Sequence, residues 1–213
     1  MIYFNQESKT FYLESKDVTY AFRVHELGFL NHLYYGKRIA REDLAFSVYA
    51  IDRGHGTNLP YGNRRATMDI FQNECSTFGR SDYRENTLSF FDDMGVRVGD
   101  LKYFSHVILE GKPQMKGMPS LRGGQTLIVK LKDDRMGVVV ELHYTVYESM
   151  PVIARHIEVY NDSQKAFRLD RAFSFCVDYF DKNWEAITLP GAHLREREAE
   201  RTKLSHGQKW GKR

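Results

Sequence analysis

Two histidines and two glutamates fall where a single β-hairpin would bring them onto one face. If Glu148-Ser149-Met150-Pro151 forms a four-residue loop, Tyr147 faces Val152, and the flanking strands set His143 opposite His156 and Glu141 opposite Glu158. Imidazoles and carboxylates placed in this way could ligate a metal ion. They could also form the acid/base pair with which some large β-sandwich epimerases open a sugar ring. A plainer reading competes with both: the outer, solvated face of a sheet, on which histidine and glutamate relieve each other's charge. The chain has no C-x-x-C or H-E-x-x-H spacing, so the expectation is that it holds no metal and uses no cofactor.

Other chemistries find less support. There is no G-x-S-x-G, and neither Cys75 nor Cys176 has a histidine nearby in sequence. Gly123-Gly124 lacks the strand-to-helix setting of a phosphate loop. A pair of acidic residues could hydrolyse a glycoside, but nothing in the spacing selects two. The run Arg195-Glu196-Arg197-Glu198-Ala199-Glu200-Arg201 alternates in sign with period two. It reads as a solvated element, or as an arginine face presented to another domain or subunit. The final Lys209-Trp210-Gly211-Lys212-Arg213 is too short for a nucleic-acid site.

The elements that would position these residues are strands. Tyr20, Phe22 and Val24 alternate with Thr19, Ala21 and Arg23, and Leu127, Val129 and Leu131 with Thr126, Ile128 and Lys130. The longest run sets Val138, Val140, Leu142, Tyr144 and Val146 against Val139, Glu141, His143, Thr145 and Tyr147. A fourth, Phe173 to Tyr179, alternates in the same way. Helical spacing is nearly absent. Turn formers lie between the runs, such as Asp133-Asp134, Asn161-Asp162-Ser163 and Gly111-Lys112-Pro113. The pattern predicts an all-β chain, a large antiparallel β-sandwich, as one domain over residues 1–213. In the hairpin register above, the other face pairs Val146 with Ile153, Leu142 with Ile157 and Val140 with Val159, all apolar; Tyr144 with Arg155 is the mixed exception. Residues 41–85 break every period with glycine, charge and isolated aromatics, which makes them the expected location of a binding surface.

Composition agrees with a globular domain: 213 residues, 42% apolar and 28% charged, with 31 basic and 28 acidic residues for a net charge of +3. That excess is too small and too dispersed to indicate nucleic-acid binding. Two distant cysteines fit a reducing compartment. The amino terminus does not read as a secretory signal, and no apolar stretch approaches the roughly 20 residues a bilayer requires. A soluble, cytoplasmic molecule with neither membrane nor nucleic-acid partner is expected.

Several motifs, collinear over nearly the whole chain, resemble the opening of family 36 glycoside hydrolases of the bacterial α-galactosidase type. They are Gly28-Phe29-Leu30-Asn31-His32-Leu33-Tyr34-Tyr35-Gly36, Phe78-Gly79-Arg80-Ser81-Asp82-Tyr83-Arg84, Gly111-Lys112-Pro113 with Gly117-Met118-Pro119, Tyr144-Thr145-Val146-Tyr147-Glu148, and Leu189-Pro190-Gly191-Ala192 with Arg195-Glu196-Arg197. The resemblance implies an N-terminal β-supersandwich, galactose-mutarotase-like, that precedes a (β/α)8 barrel. It implies retaining hydrolysis of terminal α-galactose from raffinose, melibiose and similar sugars by two aspartates of that barrel. The 213 residues would then be a fragment without catalytic residues of its own. In tetrameric members this domain reaches a neighbouring subunit's galactose pocket through an aspartate, here matched by Asp52 in Ile51-Asp52-Arg53, and through a tryptophan of a Gly-Ala-Trp motif. The latter reads Gly191-Ala192-His193 in this chain. A carboxylate suits two adjacent sugar hydroxyls, whereas histidine offers less stacking surface than indole. Two other functions stay open: a free-standing carbohydrate-binding or scaffolding sandwich, and a mutarotase-like epimerase working through His143, His156 and Glu141 or Glu158.

Overall fold

The computed structural model describes residues 1–42, 44–48, 68, 70–80, 82–115, 117, 121–179 and 183–204. The chain forms two compact units, Met1–Tyr179 and Phe180–Arg213. Two four-stranded antiparallel meanders build the first. One contains β1 (Ile2–Asn5), β2 (Thr10–Glu14), β3 (Val18–Val24) and β4 (Leu30–Lys37), in that order. A short strand, β5 (Leu88–Phe91), follows. The second meander contains β6 (Lys102–Glu110), β7 (Gln125–Asp133), β8 (Val138–Tyr147) and β9 (Val152–Asn161), again in chain order. Then β10 (Arg168–Ala172) pairs back onto β5. In the second unit β11 (Glu185–Thr188) pairs antiparallel with β12 (Glu200–Lys203). Among the described residues the only helical turn is 3-10, Ala45–Ser47.

The expected all-β antiparallel sandwich is what forms, because the period-two runs supply two apolar faces that must cover each other. Phe11, Leu13, Tyr20 and Phe22 from the first sheet share one core with Leu127, Val129, Leu131, Val138, Val140, Leu142 and Val146 from the second. The β8–β9 register is the one read from sequence, with Leu142 opposite Ile157, Val140 opposite Val159 and Tyr147 opposite Val152. The first sheet is also covered behind: Tyr12, Ala21, Leu33 and Leu44 form a smaller cluster on its other face, so β2 is buried on both sides.

One irregularity determines what the sandwich can hold. Along β3–β4 the register shifts between Ala21 and Phe22, leaving Leu33 as an extra residue in β4. This bulge resets the alternation. His32 opposite Phe22 and Tyr35 opposite Tyr20 therefore share the inner face, although three residues apart, while Leu33 and Tyr34 turn toward the smaller cluster.

One expectation from periodicity fails. Phe173–Tyr179 alternates but is no strand, because β10 ends at Ala172, opposite Leu88, the first residue of β5. Beyond the Phe173 N–H bond to Thr87 O (2.9 Å), this stretch anchors itself through side chains: Thr87 Oγ1 donates to Cys176 O, and Asp178 accepts from the Asn73 N–H. The charged run 195–201 is exposed throughout, in agreement with a solvated element; only its last two residues enter β12, where Arg201 meets Glu185 at 2.7 Å.

Leu142 is fully buried at the centre of the main core. Leu142→Ala is expected to lower unfolding stability by about 2–5 kcal/mol in urea denaturation without changing the far-UV spectrum of the folded chain.

Candidate functional site

Glu74 lies in the irregular stretch after residue 70, beside β4, with its N–H bonded to Leu30 O at 3.0 Å. It is completely buried. An ionised carboxylate there needs compensation on every lone pair, and the two sheets supply it. Tyr20 from β3 shares its hydroxyl proton between both carboxylate oxygens at 2.7 Å, and Tyr144 from β8 donates to Oε1 at 2.7 Å. His32 lies 3.2 Å away through Nδ1, which must carry the proton because an ionised carboxylate only accepts. Arg155 from β9 brings its guanidinium to 3.3 Å and also donates to the Glu74 carbonyl at 2.9 Å. Burial raises the Glu74 pKa, yet Arg155, His32 and Tyr144 outweigh it, and the carboxyl lies below its ordinary value. Burial, reinforced by the Glu74 charge, pushes the Tyr20 and Tyr144 hydroxyls well up.

Above this cluster opens a cavity of about 320 Å³, lined chiefly by Tyr20, Tyr35, Tyr144, Ile153, Phe175 and Tyr179, with Arg155 at its polar end. Arg155 sits over the Tyr144 and Phe175 rings, at 5.2 and 5.5 Å from their centroids. Its Nε and one terminal nitrogen make no hydrogen bond. The volume and aromatic walls suit one sugar-sized ligand. Glu74 is saturated by its partners, so within this cluster it braces Arg155 and is unsuited to act as a general base. Cys75, next in the chain, is no nucleophile either, because burial pushes its thiol up to about 12.

Gly79, Asp82 and Arg84 of the family-like stretch work as a clamp beside this cluster. Gly79 takes φ +108°, where a Cβ would approach Val98 Cγ1 to 3.0 Å. Buried Asp82 accepts from Asn73 Nδ2 (3.1 Å) and Arg84 Nε (2.9 Å). Arg84 continues to the carbonyls of Met68 and Phe71 and to Asp178 at 3.1 Å. These contacts tie the irregular stretch carrying Glu74 to the segment carrying Phe175 and Tyr179.

The sequence-derived site residues fall elsewhere. Asp52 lies outside the described residues. His193 is exposed, at the tip of a two-residue turn closed by Ala192 N–H to Arg195 O (3.2 Å) and Arg195 N–H to Ala192 O (2.8 Å). Gly191 permits that turn, since a Cβ there would meet Arg195 O at 2.6 Å. His143 and His156 do face each other, and so do Glu141 and Glu158. The expectation of a solvated face holds for Glu158 but not for His143, which is 5% exposed. The cluster of Tyr20, His32, Glu74, Tyr144 and Arg155 was missed as a unit. The mixed Tyr144–Arg155 pair was its one visible trace.

Glu74→Gln leaves Arg155 without its counter-charge. The expected loss is about 3–5 kcal/mol of unfolding stability at neutral pH. Because the folded-state pKa lies below the ordinary 4.5, the stabilisation is complete above that value and disappears as pH falls through the folded one. The wild-type urea midpoint should therefore drop on acidification below about 4.5, and that of the variant should drop less.

The description "Glycosyl hydrolase family 36 N-terminal domain" matches residues 28–211. The α-galactosidase Mel36A of Lactobacillus acidophilus is 34% identical over 213 residues, covering 97% of this chain and 29% of that protein. Among solved structures, the galactosidase domain of the α-galactosidase–sucrose kinase AgaSK superposes with a TM-score of 0.91 at 31% identity, over 97% of this chain and 30% of that one. A variant of the Geobacillus stearothermophilus α-galactosidase AgaA in complex with raffinose gives 0.88 at 32% identity, over 93% and 28%. The chain thus spans less than a third of the proteins it matches. With a matched region that runs through both compact units, this chain belongs to the family 36 glycoside hydrolases, as their N-terminal domain.

Proposed function

We propose that these residues act as the accessory domain of a retaining α-galactosidase, packing on its catalytic barrel and lending Asp52 and His193 to the galactose pocket of a neighbouring subunit in a cytoplasmic homo-tetramer. The observation that carries this reading is the alignment of 97% of the chain with an α-galactosidase of which it makes up 29%. The substrates are α-galactosides of the raffinose and melibiose type, and the cleaving carboxylates belong to the barrel. Two features of the second unit support the role. His193 stands at an exposed turn, which is where a residue reaching into another molecule has to be. Ile187, Leu189 and Leu194, the last 82% exposed, are large apolar side chains that a covering surface would bury.

The aromatic cavity favours a second reading, a sugar-binding sandwich in its own right, since aromatic walls with one guanidinium suit a pyranose. Tyr35, half-exposed at the wall, separates the two. If the cavity binds galactose, Tyr35→Ala abolishes calorimetric binding to the chain. If the accessory role is correct, the chain alone gives no galactose isotherm.

The purified 213-residue chain should show no turnover of a nitrophenyl α-galactoside above a heat-treated control. In the enzyme that contains this domain, Asp52→Ala should reduce kcat/KM by about 10- to 150-fold, the equivalent of one or two charged hydrogen bonds (~1.5–3 kcal/mol), with an unchanged melting temperature. Unaltered kinetics would remove Asp52 from the sugar site. His193→Trp, which restores an indole, should lower KM.

A further inference from the structure

The outer face of the second sheet carries a group of side chains that the hydrolase reading does not use. His143 on β8 and His156 on β9 are direct cross-strand partners. Their rings stack with centroids 4.3 Å apart at 20°. Glu158, two residues along β9, lies beside them with Oε1 3.6 Å from His156 Nε2. One donor atom from each of the three lies within 4.8 Å of the other two.

His143 is unusual among these. Its side chain is only 6% exposed, and neither ring nitrogen has a hydrogen-bond partner. An imidazole taken from water with both nitrogens unsatisfied costs free energy that a neighbour should return. Glu141 does not return it: the carboxylate is engaged by Lys130 at 2.9 Å and approaches His143 Nε2 only to 3.7 Å. The ring is flanked by Ile128 across β7 and by the His156 ring.

We propose that His143, His156 and Glu158 form a binding site for a divalent first-row transition metal of the zinc type. Two neutral imidazoles and one carboxylate form the donor set of open zinc sites, with a fourth position left for water. Burial lowers the pKa of both histidines, in agreement with the neutral form that ligation needs. Glu158 is already oriented, because the Tyr160 hydroxyl donates to its Oε2 and leaves Oε1 toward the histidines. That outer hydrogen bond is the kind that fixes a ligating carboxylate. Donor separations below 4.8 Å close to those of a tetrahedral ion through side-chain rotation of the partly buried His156 and the more exposed Glu158, with His143 as the fixed point. The bound ion would staple β8 to β9. Mixed imidazole and carboxylate donors select Zn²⁺, Co²⁺, Ni²⁺ or Cu²⁺ over Mg²⁺ and Ca²⁺. Lys112 contributes an opposing positive charge near His156.

The test uses the chain freed of metal by a chelator. Titration with Co²⁺ should produce the visible absorption of a tetrahedral nitrogen–oxygen site at one equivalent. Zn²⁺ should bleach it and raise the melting temperature in a concentration-dependent manner, and Mg²⁺ should do neither. His156→Gln and Glu158→Gln, the latter at the more exposed position, should remove the Co²⁺ band and weaken Zn²⁺ binding at least about tenfold. Lys112→Gln, outside the donor set, should tighten it severalfold. If His156→Gln fails to fold, Glu158→Gln decides alone. A wild-type chain without a Co²⁺ band, or variants that titrate like the wild type, would overturn the site.

Discussion

The pairing of Glu74 with Arg155 is the interaction around which the first unit is organised. A carboxylate and a guanidinium, both removed from water, sit where the two sheets meet. Their desolvation can be recovered only if each remaining lone pair finds a donor. That demand fixes Tyr20, His32 and Tyr144 in place, one from each of three strands. It also requires the irregular stretch carrying Glu74 to lie against β4, which the bond from Glu74 N–H to Leu30 O provides. Hydrophobic burial assembles the sandwich without dictating where a loop must dock. The ionic cluster adds that constraint, because a displaced loop would leave Arg155 buried and unpaired.

How much of this was legible in the sequence differs from element to element. The β8–β9 hairpin was readable residue by residue, because a one-residue slip would turn Glu141 and His143 into the core. In that register the pairing of Tyr144 with Arg155 looked like a flaw in an otherwise apolar face. It is the position from which the cavity is built. The β4 bulge at Leu33 left no signal, since Leu30 to Tyr35 contains apolar and polar residues that satisfy either alternation. Only the competition between the main core and the small cluster of Tyr12, Ala21 and Leu33 places the extra residue. Glu74 was invisible for a different reason: it lies in a stretch without period, and its partners are 42 to 81 positions away along the chain.

The family-like motifs carry information of another kind. Gly79, Asp82 and Arg84 are not part of the lining of the aromatic cavity. They close a loop by a left-handed glycine and bind its backbone by a buried aspartate and an arginine. A pattern of this kind persists because the geometry tolerates few alternatives, so it reports fold and kinship well and chemistry poorly. This is why short motifs in a fixed order could point to α-galactosidases while no search for a nucleophile or a carboxylate pair succeeded. The residues that shape this domain lie throughout the chain, so their order is readable even where no bond-breaking pair is.

Among the described residues, two sets of histidine beside glutamate differ in how far their neighbours satisfy them. In the first, His32 meets a carboxylate already satisfied by two tyrosines and an arginine, so its Nδ1 proton completes a network that leaves no carboxylate oxygen for an incoming ion, while the His32 Nε2 stays without a partner. In the second, His143 is as deeply buried as His32 but has no hydrogen-bond partner, and the carboxylate near it stays half in solvent with one oxygen uncommitted. A network that satisfies itself gains rigidity and loses reactivity. One that stops short retains an unspent donor, which is the property a ligand exploits. Composition and spacing cannot separate the two sets, since each is an imidazole and a carboxylate brought together by strands. The difference arises only when the sheets close and one set finds enough neighbours while the other does not.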